Sequence, residues 1–222
     1  MSDWLAIFSK DVRVELRAKH TISSVFIFAL IVLTLLSYTL GTYVNLIKDL
    51  VPVLIWVILL FSGTLSLNRT FVREKETGTL EGLLLSPIKN RSILLGKMLY
   101  NLFIMLVLMV VVFPLSIVLF NLNIDFNILL VFIDIFIGII GFVIVGSIIA
   151  SLVMDARARE VLLPVVLFPL LLPVVIPSVS ASKKTIMGFG IEHTKIELII
   201  LLSYILLMFL TSLYVFDYVV EE

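Results

Sequence analysis

The sequence predicts an all-α integral membrane protein: six transmembrane helices preceded by an amphipathic helix lying in the membrane interface. Three observations lead there. Of 222 residues, 61% are hydrophobic and 14% charged, whereas soluble domains average about half apolar and about a quarter charged. The apolar residues also fall in long runs rather than at alternating or helical spacing, and several runs approach the ~20 residues that cross a bilayer. Finally, the basic residues gather in some of the segments between runs and avoid others.

The amphipathic helix comes first. In MSDWLAIFSKDVRVELRAKH, residues 1–20, Leu5, Phe8, Val12 and Leu16 share one helical face while Lys10, Arg13 and Arg17 lie toward the other. That pattern, with Trp4 and Phe8 among the apolar residues, suits a helix in the interface plane. No continuous apolar core of a secretory signal is evident. Six spans follow, at 22–40, 51–67, 98–120, 128–153, 161–176 and 196–216. Of the sixteen Lys and Arg residues, Lys48, Lys183, Lys184 and Lys195 fall on one side and the other twelve on the opposite side. Basic residues stay in the cytoplasm, so both termini and the segment 71–97 are expected there, with 178–195 as an external segment.

The spans differ in character. Pro114 should kink the third. The fifth holds Pro164, Pro169 and Pro173, with Pro177 just beyond, which suggests a broken or partly re-entrant helix packed against protein. In the fourth, Gly146 with Ala150 and Ser147 with Ser151 form small-xxx-small pairs, which let helices approach closely or reflect composition alone. Asp134 lies in the same span. An intramembrane carboxylate is a functional candidate, but so near a span end, where polar groups are cheaper, it reads more readily as a neutral, hydrogen-bonded packing residue.

The loop FVREKETGTLEGLLLSPIKNRSILLGK, residues 71–97, interrupts this oil. A mixed-charge exit from the second span leads to a break at Thr77-Gly78-Thr79. Leu80, Leu83 and Leu84 then line one face of a short helix over 79–85, with Glu81 beside them. Ser86-Pro87 ends it, because a residue before proline disfavours the α region. Two turns are too few to be stable alone. The leucine face must therefore be buried against the membrane surface, the protein's own helices, or a groove on a cytoplasmic partner.

The pattern EKETGTLEGLLLSP resembles the cytoplasmic loop of ABC-2 type exporter permeases, in which a short coupling helix docks on the ATP-binding subunit. VPVLIWVILLFSGTLSLNRTFVRE before it and LVMDARAREVLLPVVLFPLLLPVVIPSV around the fifth span resemble the haem exporter protein B family, the membrane subunit of the cytochrome c maturation ABC transporter. Pro52, Trp56, Phe71, Gly78, Leu80, Glu81, Ser86 and Pro87 carry the likeness in the first region, and Pro164, Pro169 and Pro173 in the second. The resemblance implies an ABC-2 exporter-like fold and a single permease domain, 1–222, in a bacterial inner membrane. It implies that Thr79, Leu80, Glu81, Leu83, Leu84 and Pro87 couple to a cytoplasmic ABC ATPase, with Arg157 and Arg159 as a second contact. The implied partners, besides membrane lipid, are that ATPase, a second copy of the chain, other cytochrome c maturation membrane proteins and a haem chaperone. ATP would be bound by the partner, and haem would be the transported or handled ligand.

Several chemistries are missing from the sequence. It has no G-x-x-x-x-G-K-[ST] loop: Gly96-Lys97 lacks the glycine-rich turn and the following hydroxyl. No cysteine is present, which removes disulfide, thiolate and Cys-ligated metal chemistry. Zero net charge gives no footprint for nucleic acid. No hydrolase motif occurs, and this is not expected to be an enzyme. Of the two histidines, His193 in the external segment invites comparison with haem axial ligands, but a lone loop histidine is ordinarily just solvated. Asp155-Ala-Arg157-Ala-Arg159 reads most simply as a short inner loop. The alternatives are another ABC-2 permease exporting a lipid, drug or glycan, and a non-transporting membrane scaffold. Short external segments at 41–50 and 121–127 speak against the first.

Overall fold

A computed structural model gives the structure of the protein and describes residues 3–18, 20–40, 47–76, 82, 88–154, 156 and 158–221. These form α1 (Asp3–Ala18), α2 (His20–Leu40), α3 (Ile47–Glu76), α4 (Asn90–Leu119), α5 (Ile128–Val153), α6 (Arg159–Ile186) and α7 (Ile191–Glu221). No strand occurs among the described residues. Six of the helices, α2 to α7, are long and apolar enough to cross a membrane.

The six run up and down, so the bundle has two ends. At one, α1 lies against the start of α4, and Arg91 of α4 pairs with Asp217 near the end of α7 at 2.9 Å. At the other, Lys48 at the start of α3 pairs with Asp125 before α5 at 2.7 Å, and Lys183 near the end of α6 pairs with Asp49 of α3 at 3.0 Å. The first end is called the α1 end below.

Helix α5 is the centre. It packs against α3, α4, α6 and α7, and its residues from Gly141 to Ser151 are all buried. Small residues make this possible, since they let backbones approach closely. A Cβ on Gly138 would overlap Ser178 Oγ and the Trp56 ring, one on Gly141 would meet Val174 Cγ1 at 3.0 Å, and one on Gly146 would overlap Leu67. Ser147, Ala150 and Ser151 are buried beside them. The small-xxx-small spacing thus marks helix contacts and not composition. By contrast α2 and α7 turn Ile27, Ile31 and Leu35, and Ile199, Leu206 and Leu210, outward, as helices facing lipid tails do.

The helices depart from the expected spans at their ends. The thirty residues of α3 reach ~45 Å at 1.5 Å per residue, beyond a hydrocarbon core of ~30 Å. Helix α4 begins at Asn90 rather than 98, so Arg91 and Lys97 belong to a helix and not to a loop. The expected external segment 178–195 is mostly helical: α6 continues to Ile186, and only 187–190 separate it from α7. Gly188 makes that reversal at φ +89, a left-handed conformation that costs glycine least. Asn127 caps α5, its side-chain oxygen accepting from the N–H groups of Leu129 and Leu130 at 3.1 and 3.2 Å.

Nor is α6 broken. It is one helix of 28 residues despite Pro164, Pro169, Pro173 and Pro177. Its buried face carries Leu163, Leu167, Leu171 and Val174, while Pro169 and Pro173 lie on the exposed face. A proline deprives the carbonyl four residues back of its N–H, and neighbouring helices re-satisfy such turns. Tyr204 Oη of α7 ties this stretch of α6 to its neighbour, donating to the Leu170 carbonyl between the two exposed prolines at 2.7 Å.

Candidate functional site

Two buried polar clusters stand out in this apolar bundle, one toward each end. At the α1 end, Lys97 lies two turns inside α4 and is only 1% exposed. Its Nζ lies 2.9 Å from Asp11 Oδ2 of α1 and 3.5 Å from the Thr70 carbonyl of α3. Lys10 Nζ stands 3.3 Å from the other Asp11 oxygen. One turn deeper, Thr70 Oγ1 lies 2.9 Å from Asn101 Oδ1 and 3.0 Å from the Ser66 carbonyl. It has one proton to share between them. Asn101 Nδ2 reaches toward Ser147 Oγ of α5 at 3.4 Å. Side chains from α1, α3, α4 and α5 thereby meet in one buried array.

The local sequence explains the meeting. On α4, Lys97 and Asn101 are four residues apart and share a face. On α3, Ser66 and Thr70 do likewise. Gly96, beside Lys97, lets α1 come close: a Cβ there would stand 2.7 Å from Ile7 Cγ2 and 3.1 Å from the Trp4 carbonyl. Phe8 of α1 meets Phe103 of α4 edge to face at 6.1 Å. Helix α1 therefore buries Ile7, Glu15 and most of Asp11, while Leu5 of the expected apolar stripe is exposed.

At the opposite end, Asp134 of α5 is 2% exposed and accepts from Thr185 Oγ1 of α6 at 2.7 Å. Nearby on α6, Ser180 Oγ and Lys184 Nζ both donate to Glu197 Oε1 of α7, at 2.9 and 2.6 Å, and Lys184 also donates to the His193 carbonyl at 2.8 Å. This cluster ties α5, α6 and α7. His193 uses its backbone there; its ring is exposed and lies 5.1 Å from Phe189. No group of three or more metal-ligating side chains occurs among the described residues.

Of the residues singled out from sequence, Asp134 is thus inside the bundle and partnered. Arg159 opens α6 and is half-buried. Thr79, Leu80, Glu81, Leu83, Leu84, Pro87 and Arg157 lie outside the described residues. The α1-end cluster was missed because Lys97 reads as one more basic residue of an inner loop. The signal available was Gly96-Lys97 with Asn101 one turn on, polar groups at helical spacing leading into an apolar run.

Comparison with known proteins places this architecture. A family profile described as "CcmB protein" matches residues 2–216. Similar curated proteins include "Heme exporter protein B" of Escherichia coli strain K12, 35% identical over 91 residues, a stretch covering 41% of this chain and 41% of that protein. The protein of the same name from Rhodobacter capsulatus is 26% identical over 187 residues, 84% of this chain and 85% of the relative. That of Bradyrhizobium diazoefficiens is 26% identical over 183 residues, 82% of each. With the profile spanning nearly every residue and six helices suited to a bilayer, this multi-pass membrane protein belongs to the CcmB protein family.

Proposed function

We propose that the chain is the membrane subunit of an ABC transporter complex needed for c-type cytochrome biogenesis. It couples ATP hydrolysis on a separate cytoplasmic subunit to haem export or to release of a haem-loaded chaperone. The observation that carries the reading is the family match over residues 2–216, together with relatives named heme exporter protein B. ATP hydrolysis is assigned to a partner because the sequence holds no phosphate-binding loop. Both termini and the segment 71–97 face the cytoplasm of an inner membrane, and two copies complete the membrane part. ATP binding closes the ATPase, the segment 79–85 moves as a lever with Glu81 and the leucine face as its contact, and the spans rearrange. Arg157 and Arg159 add a second contact. A ligand can drive this motion only as far as its contacts differ between the two states.

The test is a haem stain of membranes from cells lacking the gene. Loss of all c-type cytochromes with b-type cytochromes retained supports the reading. Normal c-type cytochromes, with no second copy of the gene to compensate, overturn it.

A further inference from the structure

The segment 77–87 that the proposed lever occupies is joined in sequence to α3 on one side and, through 88 and 89, to α4 on the other. At that end Thr70 of α3 bonds to Asn101 of α4 at 2.9 Å, and Lys97 of α4 brings α1 into the same junction. The ammonium sits between the Asp11 carboxylate of α1 and the Thr70 carbonyl of α3, itself only 1% exposed. A lysine is almost never so fully buried unless paired. Asp11 supplies the charge, and its side chain is 11% exposed. Both sides of the pair are anchored by packing: Ile7 on the bare backbone at Gly96, and Phe8 on Phe103.

The geometry points to Lys97 as a positioning residue that clasps α1 to α4 and to the end of α3, so that the interfacial helix travels with the two helices flanking the lever. Amphipathic helices of this kind can float in the interface, held by apolar area and headgroup charge. Here one surface of α1 is committed to protein instead. A push on the segment 77–87 is then delivered to α1, α3 and α4 together, and through Asn101 and Ser147 to the central helix α5. The inference rests on the proposed coupling role for its consequence in transport, but the clasp itself can be measured without that role.

The chain has no cysteine, so a cysteine pair at Phe8 and Phe103, whose rings are 6.1 Å apart, reports whether α1 stays on α4. The experiment uses the full-length chain in its own membranes, with a short bifunctional thiol reagent. Four forms carry that pair: the parent, Lys97→Met, the apolar pair Asp11→Leu with Lys97→Met, and the reversed pair Asp11→Lys with Lys97→Asp. The amount of inserted protein is measured in each, because Lys97→Met alone can fail to fold. The apolar pair removes both charges and keeps the claim testable.

The expected result is efficient cross-linking in the parent and a several-fold lower yield in the apolar pair, with at least partial recovery in the reversed pair. c-type cytochrome per inserted chain should fall about tenfold in the apolar pair and return once the cross-link is made. Equal cross-linking in the parent and the apolar pair overturns the clasp. A lower yield with undiminished cytochrome overturns its role in coupling. Loss of cytochrome when the parent is cross-linked shows that α1 must leave α4 and overturns the joint motion. Should the unsubstituted, cysteine-free chain fail to restore c-type cytochromes to a strain lacking the gene, the proposed function falls, while the yields still decide the clasp.

Discussion

Thr185 Oγ1 lies 2.7 Å from Asp134 Oδ2 and 3.1 Å from the Ala181 carbonyl, joining α6 to α5 at the end of the bundle opposite α1. The relationship is unequal. Thr185 keeps an acceptor if Asp134 is removed, whereas Asp134 loses a buried donor if Thr185 is removed. Stranding a buried acceptor costs about 1–3 kcal/mol, and more for a charged group. Thr185→Val should therefore destabilise the protein by at least that much. Asp134→Asn should cost less, because its amide can donate to Thr185 Oγ1 while Thr185 donates to Ala181. Pairing Thr185→Val with Asp134→Leu should recover most of the loss. Thermal unfolding in detergent ranks the three. Asp134→Asn should also leave c-type cytochromes at the parent level; their loss from a normally inserted protein would make the carboxylate a working group.

The glycines of α5 offer a second ranking. A methyl at Gly138 meets the ring of Trp56, a large buried side chain with nowhere to go, together with Ser178. At Gly146 it meets only the end of the Leu67 side chain, which can turn aside. Overpacking costs about 1–3 kcal/mol, and alanine regains about 1 kcal/mol of helix propensity over glycine. Gly138→Ala should lower stability clearly, and Gly146→Ala should be close to neutral. Gly190→Ala, with open space around it, is the control. Equal losses at Gly138 and Gly146 would mean that the α3–α5–α6 contact is not the rigid one.

These two ends also show what the sequence could and could not reveal. Run length alone places the six crossing helices, because a helix in contact with the hydrocarbon core needs a long apolar stretch. It places their ends poorly, since a helix such as α3 or α4 continues beyond the hydrocarbon and charged residues do not stop it. Four prolines in α6 read as a break because each removes a backbone bond. That α6 nonetheless runs unbroken through all four, packed against α3, α5 and α7, is a tertiary fact invisible along the chain. Asp134 was legible as an acid in a span, but its partner Thr185 is 51 residues away. Lys97 was the reverse case. Its charge fitted the positive-inside pattern so well that its burial against Asp11 went unsuspected.

Asp125 gives a prediction in pH. It lies between α4 and α5, outside the spans, and both its oxygens accept from Lys48 Nζ, at 2.8 and 2.7 Å. That hydrogen bond, aided by one from the backbone, holds its carboxyl below the ordinary value of 3.8. A carboxyl with a lowered folded-state pKa contributes stability that is fully present above the unfolded value and is lost as pH falls through the folded one. The contribution is therefore intact at neutral pH and disappears only below about pH 4. Asp125→Asn should flatten the acid limb of the stability profile in that window and add no new transition near neutrality. Because the pair is exposed, added salt should shrink the difference. Acid titration of the unfolding midpoint at low and high salt reads both effects.

The lever itself carries the last prediction. Under the proposed function, Glu81 and Leu84 face the ATPase, and Glu81→Lys or Leu84→Asp, at positions between the α3 and α4 sequences, changes that contact. A charge placed on a two-turn apolar face removes the burial that such a short helix depends on. Both variants should insert at parental levels, bind the ATPase more weakly and lose transport-linked stimulation of ATP hydrolysis. Membrane content, co-purification of the ATPase and hydrolysis rate should be measured on the same preparations. Variants that insert, bind and stimulate like the parent would remove 79–85 from the coupling path. The Lys97 clasp gives an internal comparison. Its apolar pair should retain ATPase binding while losing c-type cytochromes, because it acts after the contact is made. Glu81→Lys should lose both. If the clasp variant also releases the ATPase, Lys97 shapes the docking surface and does not pass on its motion.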